Sequence, residues 1–244
     1  MKFIDSEAAL CIGKTLVISD LHLGIEYDFY KSGITLPSQT GKAAEKIMSI
    51  IDKTRCKKLI ILGDIKHKVP GSSFQEQKEI PHFFSYLSET VKIEIVKGNH
   101  DAGIEKYLPG NVRMHAGSGF LYREHYLCHG HALPGKDVLE ARRIITGHLH
   151  AVIEVKDRLG YRWTQKVWVR AKPLKARLMK AFASAGKIEE IIAMPAFSDF
   201  VGGKPIGEAE PMGPVMKMAS MRNAELYLLD GTYIGVVGNL QGDA

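Results

Sequence analysis

Cysteine is scarce in this sequence: three in 244 residues, at positions 11, 56 and 128, with no C-x-x-C pair. Neither a disulfide framework nor a cysteine zinc site is expected from that spacing, and the thiols read as buried. Long apolar runs are missing too. No stretch approaches the about 18 residues a membrane helix needs, and Asp5 and Glu7 stand where a secretory signal would be basic. A cytoplasmic protein without a membrane partner is the expectation. There is no internal repeat, low-complexity tract or polar linker, which argues for one domain spanning residues 1–244. What is present is 45% hydrophobic and 25% charged residues, a globular composition that excludes disorder and coiled coil. The net charge of +6 permits a polyanionic partner without requiring one.

Short β-branched apolar segments at 15–19, 59–62, 93–96, 126–128 and 144–146 predict buried strands. Between them, residues 38–54 place Ala44, Ile47, Ile50 and Ile51 on one helical face, and residues 80–89 do the same with Phe83, Phe84 and Leu87. Beyond residue 150 the pattern changes to strands with short connections, at 151–155, 188–192, 226–229 and 232–237, with Asp230-Gly231 as a hairpin turn. Residues 202–214, rich in Gly and Pro, predict a surface loop. The fold class expected is α/β, with two sheets in one domain.

Nearly every strand of the first part ends in residues of metal-ligand type. Asp20 and His22 follow the first, Asp64 the second, Asn99, His100 and Asp101 the third, His129 and His131 the fourth, and His148 and His150 the fifth. In open α/β sheets ligands bind beyond the carboxyl ends of the strands, so residues distant in sequence converge there. Carboxylates, an amide oxygen and imidazoles form a mixed N/O set suited to Mn, Fe or Zn. Seven or more donors fit two ions, with Asp64 placed to bridge them. Such a pair activates water at neutral pH and clamps both oxygens of a displacement at phosphorus, the chemistry of phosphate ester hydrolysis. Gly63, Gly98 and Gly147 each precede a cluster residue, where a crowded site leaves no room for a Cβ.

In order, Asp20 to His22 (D-x-H), Gly63-Asp64, Gly98-Asn99-His100-Asp101, His129-Gly130 and Gly147 to His150 (GHxH) resemble the motif set of the calcineurin-like metallophosphoesterases. The resemblance implies a two-sheet β-sandwich flanked by helices. It implies one metal held by Asp20, His22, Asp64 and His150 and another by Asp64, Asn99, His129 and His148. The ions would be two divalent transition metals, Mn first, with Fe, Zn, Ni and Co as alternatives. His100 would act on the phosphoryl oxygens and protonate the leaving oxygen, with Asp101 fixing its tautomer. Relatives favour His129 over His131 as the ligand of the HGH triplet. His67 stands where many relatives carry Asp or Asn. With Met194 to Ser198 and Gly202-Gly203, it is similar to an archaeal branch related to the SbcD nuclease subunit and its ligase-associated bacterial cousins. His67 itself reads as a neighbour of the ligands, a substrate-facing residue or a structural one. His82, His115 and His125 lie outside the motifs.

Residues 159–188 contain eight Lys or Arg and no acid, and hold both tryptophans, Trp163 and Trp168. As an insert, this segment would track a nucleic-acid backbone and stack bases through Tyr161, Trp163, Trp168 and Phe182; as plain structure it would be a solvated hairpin and helix whose aromatics pack inward. The function expected is a metal-dependent phosphodiesterase of nuclease type, with an ATPase, helicase or ligase as a candidate partner. The alternatives are a small-molecule phosphodiesterase or phosphomonoesterase and a non-catalytic scaffold, against which the intact ligand set argues.

Overall fold

The computed structural model describes residues 1–206 and 213–240; six residues of the expected 202–214 loop lie outside that range. The first half builds one sheet from β1 (Lys2–Phe3), β2 (Leu10–Ile12), β3 (Thr15–Ile18), β4 (Lys58–Leu62), β5 (Lys92–Val96) and β6 (Arg113–His115), in that spatial order. β3 to β6 run parallel. Their crossovers carry α1 (Glu26–Lys31), α2 (Thr40–Thr54) and α3 (Phe74–Ser88). Because both faces of this sheet are covered, β4 reads as an unbroken apolar run. Leu59 and Ile61 pack with the helices, and Ile60 and Leu62 face the other sheet.

The second sheet comprises β7 (Phe120–Tyr122), β8 (His125–Cys128), β9 (Arg143–Thr146), β10 (Val152–Lys156), β11 (Arg162–Ala171), β12 (Glu190–Ala193), β13 (Glu225–Leu228) and β14 (Tyr233–Val236). Its order is β14-β13-β11-β12-β9-β8-β7, with β10 paired to the first half of β11. β8, β9 and β12 are mutually parallel. Three short helices, α4 (Lys175–Phe182), α5 (Gly213–Lys217) and α6 (Val237–Leu240), belong to this half. Between the sheets lies a buried apolar layer in which Leu10, Val17, Ile60 and Leu62 meet Leu127, Ile145, Trp168 and Ile192. This is the expected α/β sandwich of two sheets flanked by helices. No described helix is long and apolar enough to cross a membrane.

Two elements differ from expectation. α3 starts at Phe74, six residues before the predicted start, because Ser73 accepts from the Glu76 amide while the Glu76 carboxylate accepts from the Ser73 amide. That reciprocal cap satisfies orphan donors and extends the helix upstream of its apolar stripe. Residues 159–188, expected as an insert, contribute β11, which pairs with β12 on one side and β13 on the other. Val167, Trp168 and Val169 are buried there. The basic residues mask the strand: Lys166 and Arg170 share one face with Trp168, which packs between the sheets, while Val167 and Val169 pack into the core on the other face.

Candidate metal centre

β3, β4 and β5 of one sheet and β8 and β9 of the other end at the same edge of the sandwich, and all the expected ligands sit on the turns that follow. Backbone bonds carry each sheet into its turns and join the two: Asp20 N donates to Gly63 O at 3.1 Å within the first sheet, Met194 N to Thr146 O at 2.7 Å within the second, and Phe197 N to Ser19 O at 2.9 Å from the second to the first. Asp20, His22, Asp64 and His129 form a buried floor. Asn99, His100, His148 and His150 are more open and rim it.

The turns are strained. Asp20, His22, Asp64, His148 and His150 have φ of 56°, 46°, 50°, 67° and 45°, in the left-handed region that non-glycine residues rarely enter. Five such residues in one cluster store backbone energy where side chains must converge. Crowding is equally severe at glycine: a Cβ on Gly147 would lie 2.6 Å from Asp20 Oδ2.

Potential ligand atoms of Asp20, His22, Asp64 and His150 lie within 4.8 Å of one another, and so do those of Asp64, His129 and His148. Asn99 joins the second group through Oδ1, 3.1 Å from His129 Nε2. Asp64 belongs to both. Its Oδ2 is 3.7 Å from His22 Nε2 and 3.3 Å from His129 Nε2, while Oδ1 accepts from the His100 amide at 2.9 Å. His22 Nε2 and His150 Nε2 are 3.2 Å apart, the separation expected of two imidazoles on one ion at about 2.0–2.1 Å from each. Backbone carbonyls orient the rings. His129 Nδ1 donates to Leu62 O at 2.7 Å and His150 Nδ1 to Gly202 O at 3.2 Å, which turns each Nε2 lone pair inward.

The electrostatics match a cation site. Burial pushes the His22 imidazolium down to about 3 and His148 down to about 4, so both are neutral and can donate a lone pair at neutral pH. Burial alone would raise Asp20, but the His150 hydrogen bond and the surrounding imidazoles hold it below the usual carboxylate range. His129 goes the other way: burial opposes its charge, yet the Asp64 and Asp20 carboxylates lift it to about 9.

His100 lies beside the cluster, with Nε2 4.0 Å from Asp64 Oδ2. The expected orienting contact from Asp101 is not there. The Asp101 carboxylate accepts instead from the amides of Ile65 at 2.9 Å, Lys66 at 3.3 Å and Gly98 at 2.8 Å. It ties the Asp64 turn to the Asn99 turn. The His100 tautomer is set by the His67 carbonyl, 2.5 Å from Nδ1. His67 also packs its ring against the cluster, with Nδ1 3.2 Å from His22 Nδ1 and Nε2 2.9 Å from Asp28 Oδ2. A third group of close donors, His22, His67 and His100, results. His131 packs on His129 and His148, and its Nδ1 is buried without a partner among the described residues. The carbonyls of Leu62, His67 and Gly202 were beyond sequence reasoning, because a backbone oxygen carries no residue signature.

The basic segment divides in two. Val169 is level with Ala193 and Thr146, just short of the cluster turn. Residues 162–166 therefore extend past the cluster edge, paired with β10, which starts two residues after His150. At the hairpin tip Leu159 is 94% and Tyr161 68% exposed. The Tyr161 and Trp163 rings stack at 5.9 Å and 26°. α4, by contrast, begins and ends at the opposite edge: Ala171 is level with Ile191 and Ile144, and Glu189 N donates to Arg142 O at 2.8 Å.

The family described as the calcineurin-like phosphoesterase superfamily domain matches residues 14–169, more than half of the chain. No curated protein matches. Among solved structures, the chain is similar to the nuclease MPE of Pseudomonas putida, with TM-score 0.54, 18% identity, and coverage of 90% of this chain and 86% of that one. It is also similar to Yfce, a phosphoesterase from E. coli, with TM-score 0.42, 16% identity, and coverage of 91% and 96%.

Proposed function

We propose that the chain, which belongs to the calcineurin-like phosphoesterase superfamily, hydrolyses phosphodiesters at a two-metal centre and takes a nucleic-acid strand as substrate. The observation that carries the reading is Asp64, whose carboxylate lies in both ligand groups. Asp20, His22, Asp64 and His150 would hold one ion, and Asp64, Asn99, His129 and His148 the other, with Mn first and Fe, Zn, Ni or Co as alternatives. When bound, such a pair supplies an activated water and neutralises charge building on the phosphoryl oxygens. The chain's own residues do the rest. The buried floor excludes bulk water, the carbonyl-locked imidazoles hold the donors in place, and His100 Nε2 faces the open rim, where it can give a proton to the departing oxygen.

The nuclease assignment draws support from the hairpin beside the site. A stacked Tyr161 and Trp163 pair next to Lys156, Arg158 and Arg162 offers a π face for a base and positive charge for the backbone. The likeness in fold to the nuclease MPE of Pseudomonas putida and the motif likeness to the SbcD-related branch lean the same way. Metal-reconstituted protein should be assayed against labelled single-stranded oligonucleotides, a bis-aryl phosphate, cyclic nucleotides and monoesters. Strand cleavage that falls steeply with salt is the expected result. Turnover of cyclic nucleotides alone would favour a small-molecule enzyme. No turnover of any ester would leave a scaffold.

A further inference from the structure

Cys11 and Cys56 are 45 positions apart in sequence, yet their sulfurs lie 3.2 Å apart. The topology brings them together. Cys11 on β2 pairs with Leu16 on β3, and Leu16 pairs with Leu59 on β4. Cys56 lies three residues before Leu59, in the connection that follows α2. Arg55 ends that helix at φ 55°, and Lys57 N donates to Lys14 O at 2.8 Å, so the connection is fastened to the β2–β3 turn. Both thiols point into the same layer, beneath α2 and α3. A disulfide needs the sulfurs at about 2.05 Å, so they have about 1.2 Å left to close.

We propose that Cys11 and Cys56 are a redox modification site, closing to an intramolecular disulfide that staples β2 to the end of α2. The bridge would enclose β3, Asp20, His22, α1 and α2, the segment that delivers two of the candidate ligands. The oxidant is a peroxide or a small-molecule disulfide. With hydrogen peroxide, one thiolate attacks an oxygen, the O–O bond breaks, and a sulfenic acid and hydroxide form. The second sulfur then displaces the sulfenic oxygen; two thiols and one peroxide give one S–S bond and two waters. With a small-molecule disulfide, two exchanges give the bridge and two small thiols.

The rate follows from the surroundings. Burial, reinforced by Cys56, pushes the Cys11 thiol up to about 12, and the thiolate is the reactive form. The bridge is therefore a slowly formed structural cross-link, unsuited to fast sensing. Cys128 supplies an internal control. It is buried in the other half of the molecule, on β8, with its Sγ 3.9 Å from the Ile145 carbonyl oxygen.

The experiment compares protein purified under reductant with protein incubated overnight in peroxide or oxidised glutathione. Denatured free-thiol counts should fall from three to one, and non-reducing peptide mapping should recover a fragment linking Cys11 to Cys56. The Tm should rise by about 5–15 °C, reversibly with dithiothreitol, because the bond closes a 46-residue loop. In Cys56→Ser and Cys11→Ala the oxidant-dependent rise should vanish; if either variant fails to fold, the mapping of the natural chain still decides. Three persistent thiols, a bridge to Cys128 or between molecules, or a Tm that falls when the bridge forms would each overturn the proposal. Hydrolytic activity is not the readout, so this test stands apart from the reading of the metal centre.

Discussion

Gly98→Ala adds a single methyl group at the most crowded point of the candidate site. The new Cβ would lie 2.3 Å from the Asp64 amide nitrogen, 2.3 Å from Asp64 Oδ1 and 3.0 Å from Asp101 Oδ2. Ordinary contact begins near 3.4 Å, so Asp64 must retreat by about 1.1 Å. Rotating its side chain relieves only the contact at Oδ1; the backbone contact remains, and the turn itself has to move. Gly98 is not at positive φ, so the penalty is crowding and not backbone conformation. Overpacking of this kind costs about 1–3 kcal/mol of stability. A displacement of about 1 Å in a group that orients reacting atoms costs about 10²-fold in rate. Because Asp64 serves both ligand groups, loss of metal should accompany the loss of rate. The measurements are bound metal per chain after reconstitution and dialysis, kcat on a bis-aryl phosphate, and Tm. Gly41→Ala is the matched control: it lies in α2 with nothing within 4 Å of its added Cβ, and should gain about 0.5–1 kcal/mol without changing activity. A Gly98→Ala protein that keeps two ions and is within twofold of full rate would refute the claim that close packing at Gly98 places Asp64.

Replacing His100 with Ala or Asn should leave metal content intact and lower kcat by about 10²–10⁴-fold, more on an alkoxide leaving group than on a nitrophenolate; parallel loss of metal would make His100 a ligand. Charge reversal at Lys175 and Arg177 on α4 should leave oligonucleotide turnover unchanged, since α4 starts and ends at the far edge of the sheet, whereas Trp163→Ala should weaken oligonucleotide KM by about 1–3 kcal/mol per stacked base and spare a small aryl ester; the reverse pattern would move the interface to α4. Glu94 accepts from Lys58 at 2.8 Å and lies 2.8 Å from His115 Nε2; burial opposes its charge, but these partners hold it below its ordinary value of 4.5. A depressed carboxylate stabilises the fold above its unfolded pKa and loses that contribution as pH falls through the folded one. Glu94→Gln should therefore lower Tm near neutrality, by about 1–3 kcal/mol in stability, with the difference from the natural chain shrinking below about pH 4.5. A constant difference down to pH 2 would refute the assignment.

Much of this molecule was legible from residue types and their spacing. β4 and β9 declare themselves because a strand buried on both faces must be apolar throughout, and α2 because its buried stripe repeats at the helical period. Asp20, His22, Asp64, Asn99, His129, His148 and His150 stand out because carboxylates, an amide and imidazoles at strand ends share a chemistry that no packing requirement explains. Tertiary structure decided what depends on partners remote in the chain. That Asp64 lies in both groups of close donors is a matter of distances to His22 and His129, which come from different sheets. That Asp101 braces the turns while the His67 carbonyl orients His100 depends on backbone atoms, which every residue possesses alike. β11 hid behind the Lys166 and Arg170 that flank its buried Trp168, because charge pattern does not report which backbone is paired. The Cys11–Cys56 contact is invisible in sequence for a related reason: proximity across 45 residues is set by the order in which strands assemble into a sheet, and composition carries no record of that order.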